Sequence, residues 1–199
     1  SGEAIVGIQT LIIHILPSDL TYPVYDIAQV RGTTNQGVLD SINTACELRG
    51  IVHGWNDYPQ GLRFTLIDPT SGINVFSPIN NFGYEVQEGD SVRVRGVVGQ
   101  FAGLATIYAD TLIYEGSGFQ TQEPIQVSEM GEETESQIIK LKCVKLIDPS
   151  EWTNAFPYFD VLVDYGLGDV KIRIDGNANI WGTEAPIGTF GVTGIGGQS

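Results

Sequence analysis

Two histidines and two cysteines are the side chains that could supply nucleophilic or acid–base catalysis. His14 lies inside an apolar run and His53 ends one, and neither stands in a Ser/His/Asp, Cys/His or HExxH arrangement. Cys46 and Cys143 are too few for a disulfide framework and lack the CxxC spacing of zinc or thiol-exchange sites. We expect two buried thiols, with one disulfide bond between them as the alternative. The sequence therefore predicts no catalytic residue, no cofactor and no enzymatic activity.

One short segment has part of the ligand pattern of a calcium loop. Asp175, Asn177 and Asn179 alternate along the chain, as oxygen ligands do when they face one ion. Position 186, where the bidentate Glu of such a loop would stand, is Pro. We therefore expect a turn built on Asp and Asn side chains rather than a metal site.

Aromatic side chains follow the first predicted strand of each half of the chain. Rings in such loops can stack on nucleobases or sugars. They can equally cap the end of a fold or pack one subunit against the next, and we favour that interpretation. The candidate platform consists of Trp55, Tyr58, Trp152 and Tyr158.

The charge of the chain bears on its partners. The 199 residues include 10 Lys plus Arg and 24 Asp plus Glu, which gives a formal net charge of −14. Neutralising nucleic-acid phosphates needs a surplus of positive charge, so nucleic acid is an unfavourable partner and carbohydrate is the alternative ligand. No apolar run has the length of a membrane span, and no basic segment precedes the N-terminal apolar run as it would in a signal peptide.

The elements that must position these residues are strands. Almost every apolar run is short, rich in Val, Ile, Thr, Tyr and Phe, and bounded by Gly, Pro, Asn or Asp. This pattern predicts an all-β fold. The helical exceptions are weak, and the strongest are residues 24–31 and 37–41.

An internal repeat organises the chain. VRGVVGQ at residues 94–100 recurs as VTGIGGQ at residues 192–198, an offset of 98. Upstream segments correspond in the same order, so each unit contains a strand, an aromatic loop, a hairpin and a strand broken by glycine. A mid-strand glycine, such as Gly50 or Gly96, lets a small sheet bend until it closes.

These features predict two tandem OB-like Greek-key barrels preceded by an extra N-terminal β-strand. We expect a donor strand and hinge at residues 1–20, a first barrel at 21–116, an acidic solvated linker at 117–136 and a second barrel at 137–199.

The second unit is one strand short. After Gln100 the first unit continues into a fifth strand of about residues 104–114, whereas after Gln198 the second unit has only Ser199. An open barrel leaves unpaired backbone groups and an apolar seam. We expect the acceptor edge to consist of Phe190, Val192, Gly194 and Ile195.

The remaining strand-like segment is Ala4–Leu16, which is apolar on both alternating faces and has neither Pro nor charge. It could fill the gap in a neighbouring molecule or in its own chain, and a longer chain could also supply the missing strand. Donation to a neighbour is head-to-tail and builds filaments. The predicted donor residues are Ile5, Val6, Ile8, Leu11, Ile12, Ile13 and Ile15.

The runs YDIAQVRGTTNQGVLDS, ACELRGIVHG, FTLIDPTSGINVFS and NNFGYEVQEGDSVRVRGVVGQF resemble the OB-like domains of secreted Bacteroidetes proteins. GEETESQIIKL and VTGIGGQ continue the likeness in the second unit, so it covers residues 24–198. Such domains often occur in tandem beside nuclease or lamin-tail domains. The resemblance implies secretion to the extracellular space or cell surface. Family members usually continue past GIGGQ into a last strand, and this sequence does not.

Together these observations predict a non-enzymatic, secreted structural protein that forms a homopolymeric filament by donor-strand complementation. The alternative is a carbohydrate- or nucleic-acid-binding accessory module of a secreted hydrolase. Long polymers would favour the first hypothesis, and monodisperse protein that binds an oligosaccharide would favour the second.

Overall fold

The computed structural model describes residues 22–198, which contain ten β-strands and three short 3₁₀ helices. The prediction of an all-β fold is confirmed. The predicted N-terminal strand, with His14 and the donor residues between Ile5 and Ile15, lies outside the described residues.

The first five strands form a closed barrel whose order is β1-β2-β3-β5-β4. Neighbouring strands are antiparallel except β3 and β5, whose parallel pairing closes the barrel. This is the OB-like architecture that the sequence predicted, including the fifth strand. The strands are β1 (Ala45–His53), β2 (Leu62–Ile67), β3 (Gly72–Ser77), β4 (Ser91–Phe101) and β5 (Leu104–Gly116).

Alternation along these strands places branched apolar side chains inside the barrel. Leu48, Val75, Val94 and Ile107, one each from β1, β3, β4 and β5, are fully buried. Burying a side chain of this kind contributes about 1.5–3 kcal/mol relative to leaving it exposed. The closing strand β5 therefore supplies part of the core as well as the hydrogen bonds of the seam.

Two glycines allow the long strands to bend where the barrel closes. A Cβ on Gly96 would lie 2.1 Å from the carbonyl oxygen of Tyr108, and a Cβ on Gly50 would lie 2.6 Å from that of Ile67. Both distances are too short for any side chain. The β4–β5 register also shifts between Arg95 and Gly96, as a bulge requires.

The second group of strands forms an open sheet of order β10-β7-β8-β9, with the short β6 parallel to β7. Strands β7, β8, β9 and β10 take the places that β1, β2, β3 and β4 occupy in the barrel. Within residues 22–198, no strand lies between β9 and β10. The strands are β6 (Ile125–Gln126), β7 (Ile138–Leu146), β8 (Tyr158–Asp164), β9 (Asp169–Asp175) and β10 (Thr189–Ile195).

The helices are as short as the sequence indicates, but the predicted segment 37–41 is not helical, and Leu39 instead forms an isolated bridge with Thr33. Ile27–Val30 lies inside the predicted segment 24–31, and the others are Glu132–Thr134 and Pro149–Glu151. Among the described residues, no helix has the length and apolar character needed to cross a membrane.

The expectation of a solvated linker is wrong at the end of residues 117–136. The side chain of Glu135 is 1% exposed, and its Oε1 accepts hydrogen bonds from Arg31 Nη2 at 2.8 Å and from the Ala105 backbone N–H at 2.9 Å. Earlier in the segment, the backbone N–H of Gln122 donates to His53 Nε2 at 2.8 Å. The connecting segment is thus fastened to the first barrel, because its polar groups satisfy buried partners there.

The expectation of two buried thiols holds for Cys46 and is wrong for Cys143, which is exposed; both cysteines are free. Cys143 has a left-handed φ of 58°. The pairing of β7 with β10 shifts register there, so that Leu141 pairs with Val192 and Val144 with Phe190. The bulge turns Cys143 outward and brings Val144 into the core.

Candidate functional site

The open side of the second sheet is an apolar seam between β9 and β10. Val170 and Ile172 on β9 and Phe190 and Val192 on β10 pack against the second core but are only half-buried. The corresponding positions of β4 in the barrel, Val92 and Val94, are both 0% exposed. The difference arises because β5 covers those positions in the barrel and no described strand covers the seam.

The space around equivalent glycines also differs between the barrel and the second sheet. A Cβ on Gly96 would strike the Tyr108 backbone, and a Cβ on Gly99 would lie 2.7 Å from the Tyr108 ring. At the equivalent repeat positions, Gly194 and Gly197 would place a Cβ in open space, with nothing within 4 Å. The second unit therefore keeps two small residues where the barrel needs them for a neighbouring strand.

The predicted acceptor residues lie together on β10. Phe190, Val192, Gly194 and Ile195 pair with β7 on one side of the strand. Ile195 is 41% exposed and contacts the first barrel near Gly54, where an added Cβ would be 3.2 Å from its Cδ1. The other side of β10 has no partner strand in the described chain. The donor residues lie outside that part, so the pairing itself remains a prediction.

The aromatic residues of the second unit take part in packing within that unit. Trp152 donates from Nε1 to the carbonyl oxygen of Thr183 at 2.9 Å, and its ring stands edge-on to Phe159 with centroids 5.5 Å apart. The guanidinium of Arg173 lies 4.1 Å from the centroid of the Tyr158 ring. That guanidinium is held by Asp160 through two hydrogen bonds of 2.8 Å, which lower the pKa of Asp160.

In the first unit, Tyr58 packs edge-on against Phe76 with centroids 5.3 Å apart, and Phe76 packs likewise against Tyr108 at 6.0 Å. Trp55 is 38% exposed. The four rings of the candidate platform thus lie in two units, and three of them are engaged by neighbouring side chains. These contacts favour packing over a ligand platform.

Part of the face of β2 and β3 that OB barrels use for oligomeric ligands is covered in this chain. Thr65, Asn74 and Thr106 point away from the core yet are buried, and Asn74 Nδ2 donates to Thr106 Oγ1 at 3.1 Å. The Ser136 backbone lies so close to Gly72 that a Cβ there would be 1.9 Å from its carbonyl oxygen. The junction of the two units therefore closes this face at these positions.

His53 has a structural role at the same junction. It is 2% exposed, with Nδ1 lying 2.9 Å from the Ile51 carbonyl oxygen and Nε2 accepting from Gln122. These partners fit the neutral tautomer with its proton on Nδ1. Burial lowers the pKa of His53, although the Ile51 carbonyl and the charge of Glu88 oppose that shift.

Sequence reasoning missed one charged cluster, because its members come from two strands. The buried carboxylate of Glu47 accepts hydrogen bonds from Arg95 at 2.7 Å and Arg49 at 3.1 Å, with Arg93 at 3.7 Å. Burial alone would raise the pKa of Glu47, but these arginines outweigh it and lower the value. The cross-strand pairs Arg49–Arg93 and Glu47–Arg95 bring the group together. The alternate spacing 47/49 and 93/95 is the signal that could have found it.

The weak calcium candidate forms a turn. Asp175 Oδ1 accepts from the backbone N–H of Asn177 at 2.9 Å and from its Nδ2 at 3.0 Å. This is the local hydrogen bonding of an Asx turn. Asn179 lies in the turn that follows. Among residues 22–198, no three His, Cys, Asp or Glu side chains lie together as metal ligands would.

No protein-family model and no curated protein matches the sequence. A protein described as an aspartyl-tRNA synthetase from Leishmania major Friedlin matches 51% of this chain and 22% of its own, at 8% identity and a TM-score of 0.40. The hypothetical protein ygiW from E. coli matches 46% and 89% of the two chains, at 18% identity and a TM-score of 0.36. The second OB-fold domain of replication protein A from Methanococcus maripaludis matches 40% and 91%, at 18% identity and a TM-score of 0.32. Because each match has an identity under 25% and a TM-score under 0.5, these likenesses identify neither a ligand nor a family.

Proposed function

We propose that this protein is a secreted, non-enzymatic structural subunit that polymerises head-to-tail. In this proposal, residues 4–16 of one copy enter the seam between β9 and β10 of the next copy. The observation that carries the proposal is the open second sheet, with its half-buried apolar seam and its two glycines facing empty space. Secretion is inferred from the resemblance to exported OB-like domains.

The seam sets requirements for its occupant. The barrel fills the same place with β5, a strand of 13 residues whose inward side chains include Ala105 and Ile107. Residues 4–16 match that length, lack Pro and are apolar at most positions. A strand inserted beside Gly194 and Gly197 would approach the β10 backbone as closely as Tyr108 approaches Gly96 and Gly99. The required length and character are therefore available within the chain itself.

A neighbouring copy is the favoured acceptor because the connection to residues 4–16 is short. Tyr22 donates its hydroxyl proton to Asp110 at 3.0 Å on β5, and Val24 forms a bridge with Glu47 on β1. The first barrel thus fixes the chain from residue 22 onward. From Leu16 to Tyr22 the chain can extend about 20 Å at most. Closure within one molecule requires the chain's own seam to lie within this span, whereas a neighbouring molecule can place its seam beside the strand.

Electron microscopy and light scattering of the purified chain test the proposal. We expect long polymers from the wild-type protein and monodisperse particles after deletion of residues 1–16. The substitution Ile12→Asp should also block assembly, because it would bring an unpaired charge into the seam. Polymers that persist after the deletion would overturn the donor assignment.

Disulfide trapping separates donation between molecules from closure within one. All variants carry Cys143→Ser. One variant adds Thr193→Cys on β10, and each of a second set of variants adds a single cysteine at one position between 8 and 14. Mixed samples should form covalent dimers at alternate donor positions. If the two cysteines react only when they are on the same chain, the second barrel closes within one molecule and the filament proposal fails.

A further inference from the structure

A second surface of the first barrel has the chemistry of a ligand site that the assembly proposal does not use. It is an open cleft of about 340 Å³ between the β3–β4 connection and the ends of β4 and β5. We call it the tyrosine cleft. It is lined by Phe82, Gly83, Tyr84, Glu85, Gln87, Asp90, Leu112, Tyr114 and Ser117.

Two tyrosines dominate the tyrosine cleft. The rings of Tyr84 and Tyr114 have centroids 6.2 Å apart and planes inclined by 32°. Tyr114 is 52% exposed, so a large aromatic surface faces solvent without cover from the described chain. Tyr84 is anchored below it, edge-on to Phe64 at 6.4 Å. One ring is therefore fixed by the core, and the other is available for stacking.

Two polar side chains of the tyrosine cleft, Tyr84 and Asp90, hold each other in place. The hydroxyl of Tyr84 donates to Oδ2 of the buried Asp90 at 2.7 Å. Burial and this carboxylate raise the pKa of Tyr84, which keeps the phenol protonated. The connecting loop is fixed by Asn80 and Asn81, whose side-chain oxygens accept from the backbone N–H groups of Phe82 and Gly83. A site ordered before binding loses less entropy when a ligand arrives.

The charge of the lining selects among ligand classes. Glu85 and Asp90 are acidic, and none of the lining residues is basic. Phosphate or carboxylate ligands would be repelled. A neutral sugar ring fits the remaining requirements, because its C–H face stacks on an aromatic ring and its hydroxyls donate to carboxylate and amide oxygens.

A cationic ligand also has some affinity for tyrosine rings and carboxylates. Recognition of a quaternary ammonium group depends on rings that converge around one desolvated point. Here the rings of Tyr84 and Tyr114 are closer to parallel than to a box, and the Tyr114 ring is open to solvent. The geometry favours a flat ligand over a compact cation.

We propose that the tyrosine cleft binds a neutral oligosaccharide, with the Tyr114 ring as the stacking platform and Glu85 and Gln87 as hydrogen-bond acceptors. The site is distinct from the loops of Trp55 and Trp152 and from the seam of the second sheet. Its occupancy does not depend on assembly, so it can fail or succeed separately from the filament proposal.

Saturation-transfer NMR on the full chain tests this site and tolerates polymers. The probes are cellotriose, xylotriose, maltotriose and mannotriose, with trigalacturonate and choline for comparison. We expect at least one neutral trisaccharide to bind with a Kd of about 1 mM or tighter, and we expect no trigalacturonate signal. Tyr114→Ala should weaken binding about tenfold or more, whereas Tyr114→Phe should retain most of it.

The control is Phe101→Ala, which removes a 61% exposed ring at the opposite end of β4 from the tyrosine cleft and should leave binding unchanged. The proposal is overturned if none of the four trisaccharides binds at about 10 mM, or if Tyr114→Ala binds as well as wild type. Binding of choline alone, lost in Tyr114→Ala, would identify a cation site instead and overturn the sugar assignment.

Discussion

The segments VRGVVGQ and VTGIGGQ occupy the same strand of two similar units and meet different surroundings. In the first, Gly96 and Gly99 are required because the backbone and ring of Tyr108 leave no room for a Cβ. In the second, Gly194 and Gly197 have open space around them. A glycine within a strand lowers stability by about 0.5–1 kcal/mol relative to alanine. Gly194 in β10 therefore destabilises the sheet, and no contact in the described chain requires a glycine there.

The apolar side chains of the same two strands also differ in how deeply they are buried. Val92 and Val94 are fully buried by β5, whereas Phe190 and Val192 are half-buried on a sheet without that strand. The same strand order thus yields a complete core in one unit and an incomplete core in the other. Closure therefore depends on one strand, and the second unit retains the side chains that such a strand would contact.

The largest expected effect comes from breaking the buried ion pair that fastens the connecting segment to the first barrel. In Arg31→Met, Glu135 loses the guanidinium at 2.8 Å and stays 1% exposed. We expect the free energy of unfolding at neutral pH to fall by about 3–5 kcal/mol, because an unpaired buried carboxylate remains. Urea denaturation measures this loss. Arg173→Met removes an exposed pair with Asp160 and should cost less than about 1 kcal/mol.

The pH dependence of the Arg31→Met loss sharpens this test. Burial raises the pKa of Glu135, and the Ala105 N–H and Arg31 only partly oppose the shift. Between the ordinary and the raised pKa, the native state holds more protons than the unfolded state, so this group's contribution to stability declines as pH rises. The loss in Arg31→Met should therefore be smaller near pH 4 than at pH 7. An equal loss at both values would mean that Glu135 is not the group left unpaired.

Paired glycine substitutions test the comparison directly. Gly96→Ala would place a methyl group 2.1 Å from the Tyr108 carbonyl oxygen and should cost about 1–3 kcal/mol. Gly194→Ala, measured in the chain lacking residues 1–16, should raise stability by about 0.5–1 kcal/mol, because nothing lies within 4 Å of the added methyl group. In the full chain, Gly194→Val should block assembly. A large cost of Gly194→Ala confined to full-length monomer would instead show that residues 1–16 close their own barrel.

Local pattern predicted much of this arrangement. The apolar runs and turn residues gave the five strands of the barrel, and the repeat indicated that the second unit lacks a strand. Burial of Glu135 could not be predicted, because its partner Arg31 lies 104 residues away and the nearest charged residues in sequence, Glu132 and Glu133, are also acidic. Exposure of Cys143 follows from a bulge that shifts the phase of β7 by one residue. The tyrosine cleft depends on Tyr84 and Tyr114, which only the folded barrel brings together.

A smaller effect is expected at His53, where the connecting segment is fastened to the barrel. Its pKa lies below the ordinary value of 6.5, chiefly through burial. As pH falls below 6.5, the unfolded chain gains a proton that the native chain does not, so stability declines by at most about 1.4 kcal/mol per pH unit. Thermal unfolding between pH 7 and 5 should show a shallower decline in His53→Gln than in wild type. Both proteins are compared in the chain lacking residues 1–16, in which His53 is the only histidine. Parallel declines with and without His53→Gln would contradict this role.

The smallest effect concerns how the assembly of separate molecules depends on ionic strength. Each subunit carries a formal charge of −14, so subunits repel one another and added salt screens that repulsion. If apolar burial in the seam drives assembly, the critical concentration measured by light scattering should fall several-fold between about 0.05 and 0.5 M NaCl. Gly194→Val, which should not assemble, controls for salt-induced aggregation.

A critical concentration that rises with salt would mean that opposite charges hold the subunits together. The Glu47 arginine cluster would then be the surface to examine, because it gathers Arg49, Arg93 and Arg95 on one side of the barrel.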